Sequence, residues 1–254
     1  MTESQQPAPG SPAPLEPGEE PEVFPRPFGA YTLLARLGTG GMGEVLLAAR
    51  AGFAGIAKLC VIKMLRPGFG DDREYVRRFL DEARIVVQLN HKNICPVFEV
   101  GKVDGRHFLA MEYIAGRDLR STGHRALAAG KRLEPGVALF VASEILEALD
   151  YAHRLTDVSG RVLLLVHRDV SPHNVMIGFE GDVRLIDFGL AASTMKTEMT
   201  APNVVMGKVA YMSQEQICGE PLDARADQFS AAVMAYELYV GERFYEDRAA
   251  RDVY

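Results

Sequence analysis

His167-Arg168-Asp169-Val170-Ser171-Pro172-His173-Asn174, followed further on by Asp187-Phe188-Gly189, is the stretch that decides this chain's fold. Between the two runs, 174–177 and 183–186 have the apolar texture of short strands, with Glu180-Gly181-Asp182 as the turn between them. A hairpin of that kind carries Asp187 back toward Asn174. Asn and Asp oxygens are hard ligands suited to Mg²⁺. Asp169 then remains to accept a proton from a substrate hydroxyl. The plainer reading, a hairpin with capping Asp and Asn residues, leaves the convergence of two acids and an amide unexplained.

Working outward, Gly38-Thr39-Gly40-Gly41-Met42-Gly43 is a GxGxxG run. The pattern by itself is weak, because dinucleotide-binding folds use it to open a helix. Here it leads into Glu44-Val45-Leu46-Leu47-Ala48-Ala49, which reads as a strand. A glycine turn between antiparallel strands can lie over phosphates with its N–H groups exposed to them; the alternative is an ordinary flexible hairpin. Lys63 closes the apolar run Cys60-Val61-Ile62, where a lone lysine is ordinarily a surface charge. Glu82 supplies a partner. It falls between Phe79 and Val86 on the apolar side of a predicted helix, where a carboxylate needs a cation. The alternative is two unrelated surface charges.

In this order, a glycine-rich loop, a VAIK-like strand, HRDxxxxN and DFG resemble the protein kinase family, over residues 31–254. Ser171-Pro172-His173-Asn174 after the HRD is most similar to kinases of myxobacteria and related bacteria. The resemblance implies an α+β fold of two lobes: a small, mainly β N-lobe with one helix over 28–115, and a helical C-lobe over 116–254. It implies that Leu37, Gly38, Thr39, Gly40, Gly41, Met42, Gly43, Glu44 and Val45 cover ATP. Lys63 then contacts phosphates and pairs with Glu82. Met111 is the gatekeeper, and Glu112 to Ile114 form the hinge that bonds adenine. Asp169 is the catalytic base, and Asn174 and Asp187 hold Mg²⁺. Phosphoryl transfer depends mostly on positioning and charge neutralisation, and every residue for that is present. The activation segment spans 189–215, with Ser193, Thr194, Thr197 and Thr200 as candidate phosphosites that Arg168 would receive; the alternative is plain loop hydroxyls.

The sequence departs from the family in three places. Ser171 stands where serine/threonine kinases usually carry lysine, and Lys208 where they carry threonine. The two side chains meet near the catalytic Asp in the family, so Lys208 is expected to supply the missing cation; otherwise it is a solvated loop charge. Gln214 replaces the proline of an APE-like triplet in Ser213-Gln214-Glu215, which should loosen a turn. Asp227 matches the aspartate that anchors the catalytic loop. The helix that follows, 229–240, is apolar nearly all round, as in a helix buried on every side. The helices that complete the large lobe are missing before Tyr254, so the expectation is a C-terminally incomplete domain from a longer protein.

The rest of the chain bounds this reading. With 48% apolar and 24% charged residues among 254, most of it is globular. A net charge of −6 argues against a nucleic-acid binder. Cys60, Cys95 and Cys218 make neither a disulfide framework nor a zinc site and are expected to pack; a reducing, cytoplasmic setting fits. The longest apolar run, 162–166, has strand length, so no membrane span is expected. Residues 1–27 hold most of the prolines and read as a disordered tail. Helices are expected after Asp71-Asp72 and after Pro135-Gly136, the second with Leu139, Ala142, Ile145, Leu146, Leu149 and Ala152 inward. The function expected is transfer of the γ-phosphate of ATP to protein Ser/Thr hydroxyls. The alternatives are a nucleotide-binding scaffold without transfer, and a small-molecule phosphotransferase. A dinucleotide-dependent dehydrogenase is excluded by the strand after the glycines.

Overall fold

A computed structural model describes residues 23–40, 43–52, 57–65, 73–188 and 209–245. The first half is a six-stranded antiparallel sheet in the order β1-β2-β3-β4-β6-β5. Its strands are β1 (Arg26–Phe28), β2 (Tyr31–Gly40), β3 (Gly43–Ala51), β4 (Ala57–Leu65), β5 (Val97–Val103) and β6 (Arg106–Glu112). Helix α1 (Arg73–Val86) lies between β4 and β5 in the chain. Alternation gives the sheet two different faces. Leu46, Ala48, Cys60, Ile62, Met64 and Phe108 pack on one face with Phe28 and Tyr31. Leu65, Leu109 and Met111 join the larger core, which takes in Phe79, Ala83 and Val86 of α1 and continues into the second half.

β1 begins inside the stretch 1–27 read as a tail. It pairs Arg26 with Leu33 and Phe28 with Tyr31 at the sheet's edge, where Pro27 removes no needed ladder bond. Phe28 and Tyr31 meet Phe108 edge-on at 5.3 and 5.8 Å, which explains why a proline-flanked segment orders here.

The second half holds β7 (Gly116–Asp118), α2 (Leu119–Ala128), α3 (Pro135–His153), β8 (Val175–Gly178), β9 (Val183–Leu185), α4 (Gln214–Ile217) and α5 (Ala224–Val240). β7, β8 and β9 form a small antiparallel sheet. Gly116 is required at its edge, since a Cβ there would run into the Ile177 carbonyl. α2 begins at Asp118, whose carboxylate accepts the Ser121 N–H at 2.8 Å. α5 starts five residues before the apolar run that predicted it, because Asp223 caps it by accepting from the Arg225 N–H. It ends at Gly241 with φ 77°, as expected.

Two expectations change. α3 buries Ala138, Val141, Ile145, Ala148, Leu149 and Ala152, so its inward stripe is rotated from the one expected; Leu139 and Leu146 face outward at 60% and 47% exposure. Cys60 and Cys95 are buried, but Cys218 is exposed. On α5, Tyr236 and Tyr239 are likewise outward, so part of the apolar surface of this helix is uncovered. Among the described residues no helix is long and apolar enough to cross a membrane.

Candidate active site

The site forms where the small sheet meets the large one, and the β8–β9 hairpin builds its centre. Val175 pairs with Leu185 and Ile177 with Val183. The Ile186 N–H then donates to the Asn174 carbonyl at 2.9 Å. Asp187 thus follows directly on a bond to Asn174, as the hairpin reading required. Its φ of 64° is in the left-handed region, which an Asp tolerates better than most residues.

Asp169 and Asn174 are joined through the amide of Asn174. Nδ2 donates to the Asp169 backbone carbonyl at 2.7 Å and to its Oδ2 at 2.8 Å. That fixes which end of Asn174 is nitrogen and leaves its carbonyl oxygen as the acceptor end. The Asp169 N–H in turn donates to His167 Nδ1 at 3.2 Å. With Nδ1 accepting, the ring proton sits on Nε2, which donates to the Ile186 carbonyl at 2.9 Å. His167 is fully buried and packs against Phe188 with ring centroids 4.5 Å apart.

Beneath this loop lies Asp227 of α5, 1% exposed. Its Oδ2 accepts from the His167 N–H at 2.7 Å and lies 2.8 Å from His153 Nε2, and its Oδ1 accepts from the Arg168 N–H at 2.8 Å. Arg168 sits at φ 69°, a conformation that needs such outside support. Gln216 Nε2 adds a bond to the Arg168 carbonyl.

Lys63 arrives from the large sheet, with Val45 and Leu109 as its cross-strand neighbours. Its Nζ lies 2.9 Å from Asp187 Oδ2, and its side chain is 13% exposed. The expected partner, Glu82, belongs to α1, but its side chain lies outside the described residues. The contact visible for the lysine is therefore to Asp187. Leu37 and Val45 flank the glycine turn, and Gly41 and Met42 at its tip are not described.

Glu44 has a position its sequence did not disclose. Its carboxylate is held by Arg36 at 3.0 Å and by Arg106 at 2.7 Å. Thr39 pairs with Glu44 across the strands, so this clamp ties the root of the glycine turn to the start of β6. An arginine from an adjacent strand is invisible to sequence reading without the register.

Met111 is buried and lines a small enclosed space with Val86, Cys95, Val97 and Phe188. Burial and the nearby Asp187 charge push the Cys95 thiol up to about 12, so it stays protonated as a packing group. Glu112, expected at the hinge, is tied to the small sheet by Arg184 at 2.9 Å, and Ile114 is buried. Ser193, Thr194, Thr197, Thr200 and Lys208 lie outside the described residues.

These groups fit nucleotide and magnesium. Asp187 and Asn174 offer hard oxygens side by side, and Lys63 offers an ammonium. Among the described residues no cluster of three or more His, Cys, Asp or Glu could hold a metal alone. That suits magnesium, which binds through one or two carboxylates and completes its shell with water and phosphate.

The sequence matches the family described as protein kinase domain over residues 31–254. It is 38% identical to the tyrosine-protein kinase MasK of Myxococcus xanthus (strain DK1622), over 84% of this chain and 33% of that protein. It is 32% identical to the serine/threonine-protein kinase PrkC of Bacillus subtilis (strain 168), over 87% of this chain and 32% of that protein. The chain thus spans about a third of the length of these curated relatives. Among solved structures, a PknI kinase domain of Mycobacterium tuberculosis superposes with a TM-score of 0.67 at 32% identity, over 89% of this chain and 79% of that one.

Proposed function

The chain belongs to the protein kinase family, and from that premise we propose that it transfers the γ-phosphate of ATP to serine and threonine hydroxyls of proteins, in bacterial cytoplasmic signalling. The observation that carries the reading is the double bond of Asn174 Nδ2 to Asp169, with Asp187 brought alongside by the hairpin and in contact with Lys63. A scaffold without transfer would not need these four groups converged, and the relatives are named kinases.

In this reading Asp169 orients the acceptor hydroxyl and takes its proton, while Asn174 holds the Asp169 carboxylate in place. Lys63 grips phosphate, with Glu82 and Asp187 as its carboxylate partners. Glu112 and Ile114 bond adenine through the backbone, and residues 37–45 cover the phosphates. Magnesium held by Asn174 and Asp187 would neutralise phosphate charge during transfer. Activation by phosphate at Ser193, Thr194, Thr197 or Thr200 fits Arg168, whose Nε is buried without a partner among the described residues.

The test is transfer from labelled ATP, with magnesium, to the chain itself and to a generic protein substrate. Label on Ser and Thr that disappears on chelation with EDTA is the expected result, and mass spectrometry of the same sample maps phosphate on 193–200. Label that survives EDTA overturns the magnesium assignment, and label on tyrosine alone, as the name of MasK would suggest, overturns the acceptor class.

Lys208 is proposed to stand in for the lysine that Ser171 replaces. Ser171 is 1% exposed, and among the described residues its hydroxyl has no hydrogen-bond partner, as expected if an ammonium completes it. Lys208→Ala is expected to lower kcat roughly tenfold or more, in line with loss of a charged partner at about 1.5–3 kcal/mol. Ser171→Ala should cost less. Equal small losses in both variants would reject the substitution of one for the other.

A further inference from the structure

A groove of about 180 Å³ opens beside the catalytic loop, between α2, the 131–133 connection and the C-terminal end of α5. Its floor is apolar, with Leu119, Leu127, Met234 and Leu238. Pro172 and Tyr211 form its end nearest the site. The Arg120 N–H donates to the Pro172 carbonyl at 3.1 Å, so the groove wall is bonded to the loop that carries Asp169.

The charge around this groove is one-sided. Arg120, His124, Lys131, Arg132 and Arg243 line it, against two carboxylates, Glu237 and Glu242. Glu237 is already engaged. It accepts from the Tyr211 hydroxyl at 2.6 Å and from the Phe244 N–H at 3.1 Å, with Arg243 at 3.8 Å. Burial and this carboxylate hold the Tyr211 phenol above its ordinary range, so it remains a donor. Glu242 meets Arg132 at 3.6 Å with both side chains about two-thirds exposed, a pair that water screens heavily. Among the described residues, Arg120 and Lys131 have no carboxylate partner.

We propose that this groove holds an acidic, partly apolar stretch of the protein substrate, so that acceptor hydroxyls are selected for nearby Asp and Glu residues. The proposal rests on the transfer reading above and names its substrate class. The apolar floor takes Leu- or Val-sized side chains, and the arginine and lysine rim pairs with carboxylates. A basic segment finds the Glu237 carboxylate already spent on Tyr211 and on the backbone, and meets only the exposed Glu242 against Arg120, Lys131, Arg132 and Arg243.

Two measurements on the 254-residue chain decide it. The first is a positional peptide library around a Ser or Thr acceptor, with Glu, Ala or Arg at each flanking position. At one or more positions Glu should raise kcat/KM about tenfold over Arg, the combined effect of two or three exposed charge pairs. The second is fluorescence anisotropy with the best acidic peptide, its alanine version and its arginine version, which needs no transfer. The acidic peptide should bind tightest and weaken with salt. Arg120→Glu combined with Arg132→Glu should abolish its advantage over the alanine version. Equal or tighter binding of the arginine version overturns the proposal. So does an acidic advantage that survives the double charge reversal. If replacing Glu16, Glu19, Glu20 and Glu22 by Gln strengthens peptide binding, the occupant is this chain's own N-terminal segment and the substrate assignment falls. Acidic binding without transfer to any peptide would uphold the groove and sink the transfer reading instead.

Discussion

Asp169→Asn is expected to lower phosphoryl transfer by roughly 10²–10⁴-fold, the usual contribution of a positioned general base. The substitution nearly preserves shape. Asn174 Nδ2 keeps an oxygen to donate to at both of its present contacts, the Asp169 carbonyl and its side chain. The backbone bond to His167 Nδ1 is untouched. What disappears is the negative charge that draws the acceptor hydroxyl and the basic oxygen that takes its proton. The loss should fall on kcat, with nucleotide affinity unchanged, because Lys63 and Asp187 remain in contact at 2.9 Å. Single-turnover transfer with saturating ATP measures it. A variant that keeps more than half of the wild-type rate would remove Asp169 from the chemistry.

Asp227→Ala is expected to destabilise the protein by about 3–5 kcal/mol, the range for removing one member of a buried charged network. Three groups converge on this carboxylate: the His167 and Arg168 N–H groups and His153 Nε2, all within 2.8 Å. Alanine leaves the two N–H groups facing a dry cavity, and each unsatisfied donor costs about 1–3 kcal/mol. The left-handed turn at Arg168 also loses its fixed point. For a chain of this size the melting temperature should fall by about 10 °C. Activity should fall as well, because the loop that Asp227 holds is the one that presents Asp169. Calorimetry or thermal unfolding by circular dichroism checks the first part. A shift of less than about 2 °C would show that the loop holds itself.

The convergence of Asp169, Asn174 and Asp187 was legible in the sequence because its geometry is local. Asn174 and Asp187 are joined by one short hairpin, and the turn residues and strand texture of that hairpin are visible without any tertiary contact. The same holds for Gly241 as the end of α5, where a positive φ calls for glycine. Resemblance to a family extended this to Asp227, whose role as an anchor appears in three hydrogen bonds. Elements with weak local signals were missed. β1 hides between prolines, and α2 carries Ser121, Thr122 and Gly123, poor helix formers that only the cap at Asp118 and packing of Leu119 hold in place.

By itself, the sequence determined the longer strands and helices with strong local patterns, and the hairpin that brings Asn174 and Asp187 together, since each follows from neighbours along the chain. The tertiary structure alone decided which face of α3 turns inward, that Arg36 and Arg106 clamp Glu44, and that Tyr211 and Phe244 occupy the carboxylate of Glu237. Two of these are contacts between separate elements, as Arg106 with Glu44 or Tyr211 with Glu237. The orientation of α3 follows the same rule: which side chains meet depends on how those elements pack, and periodicity along one element carries no record of its partner.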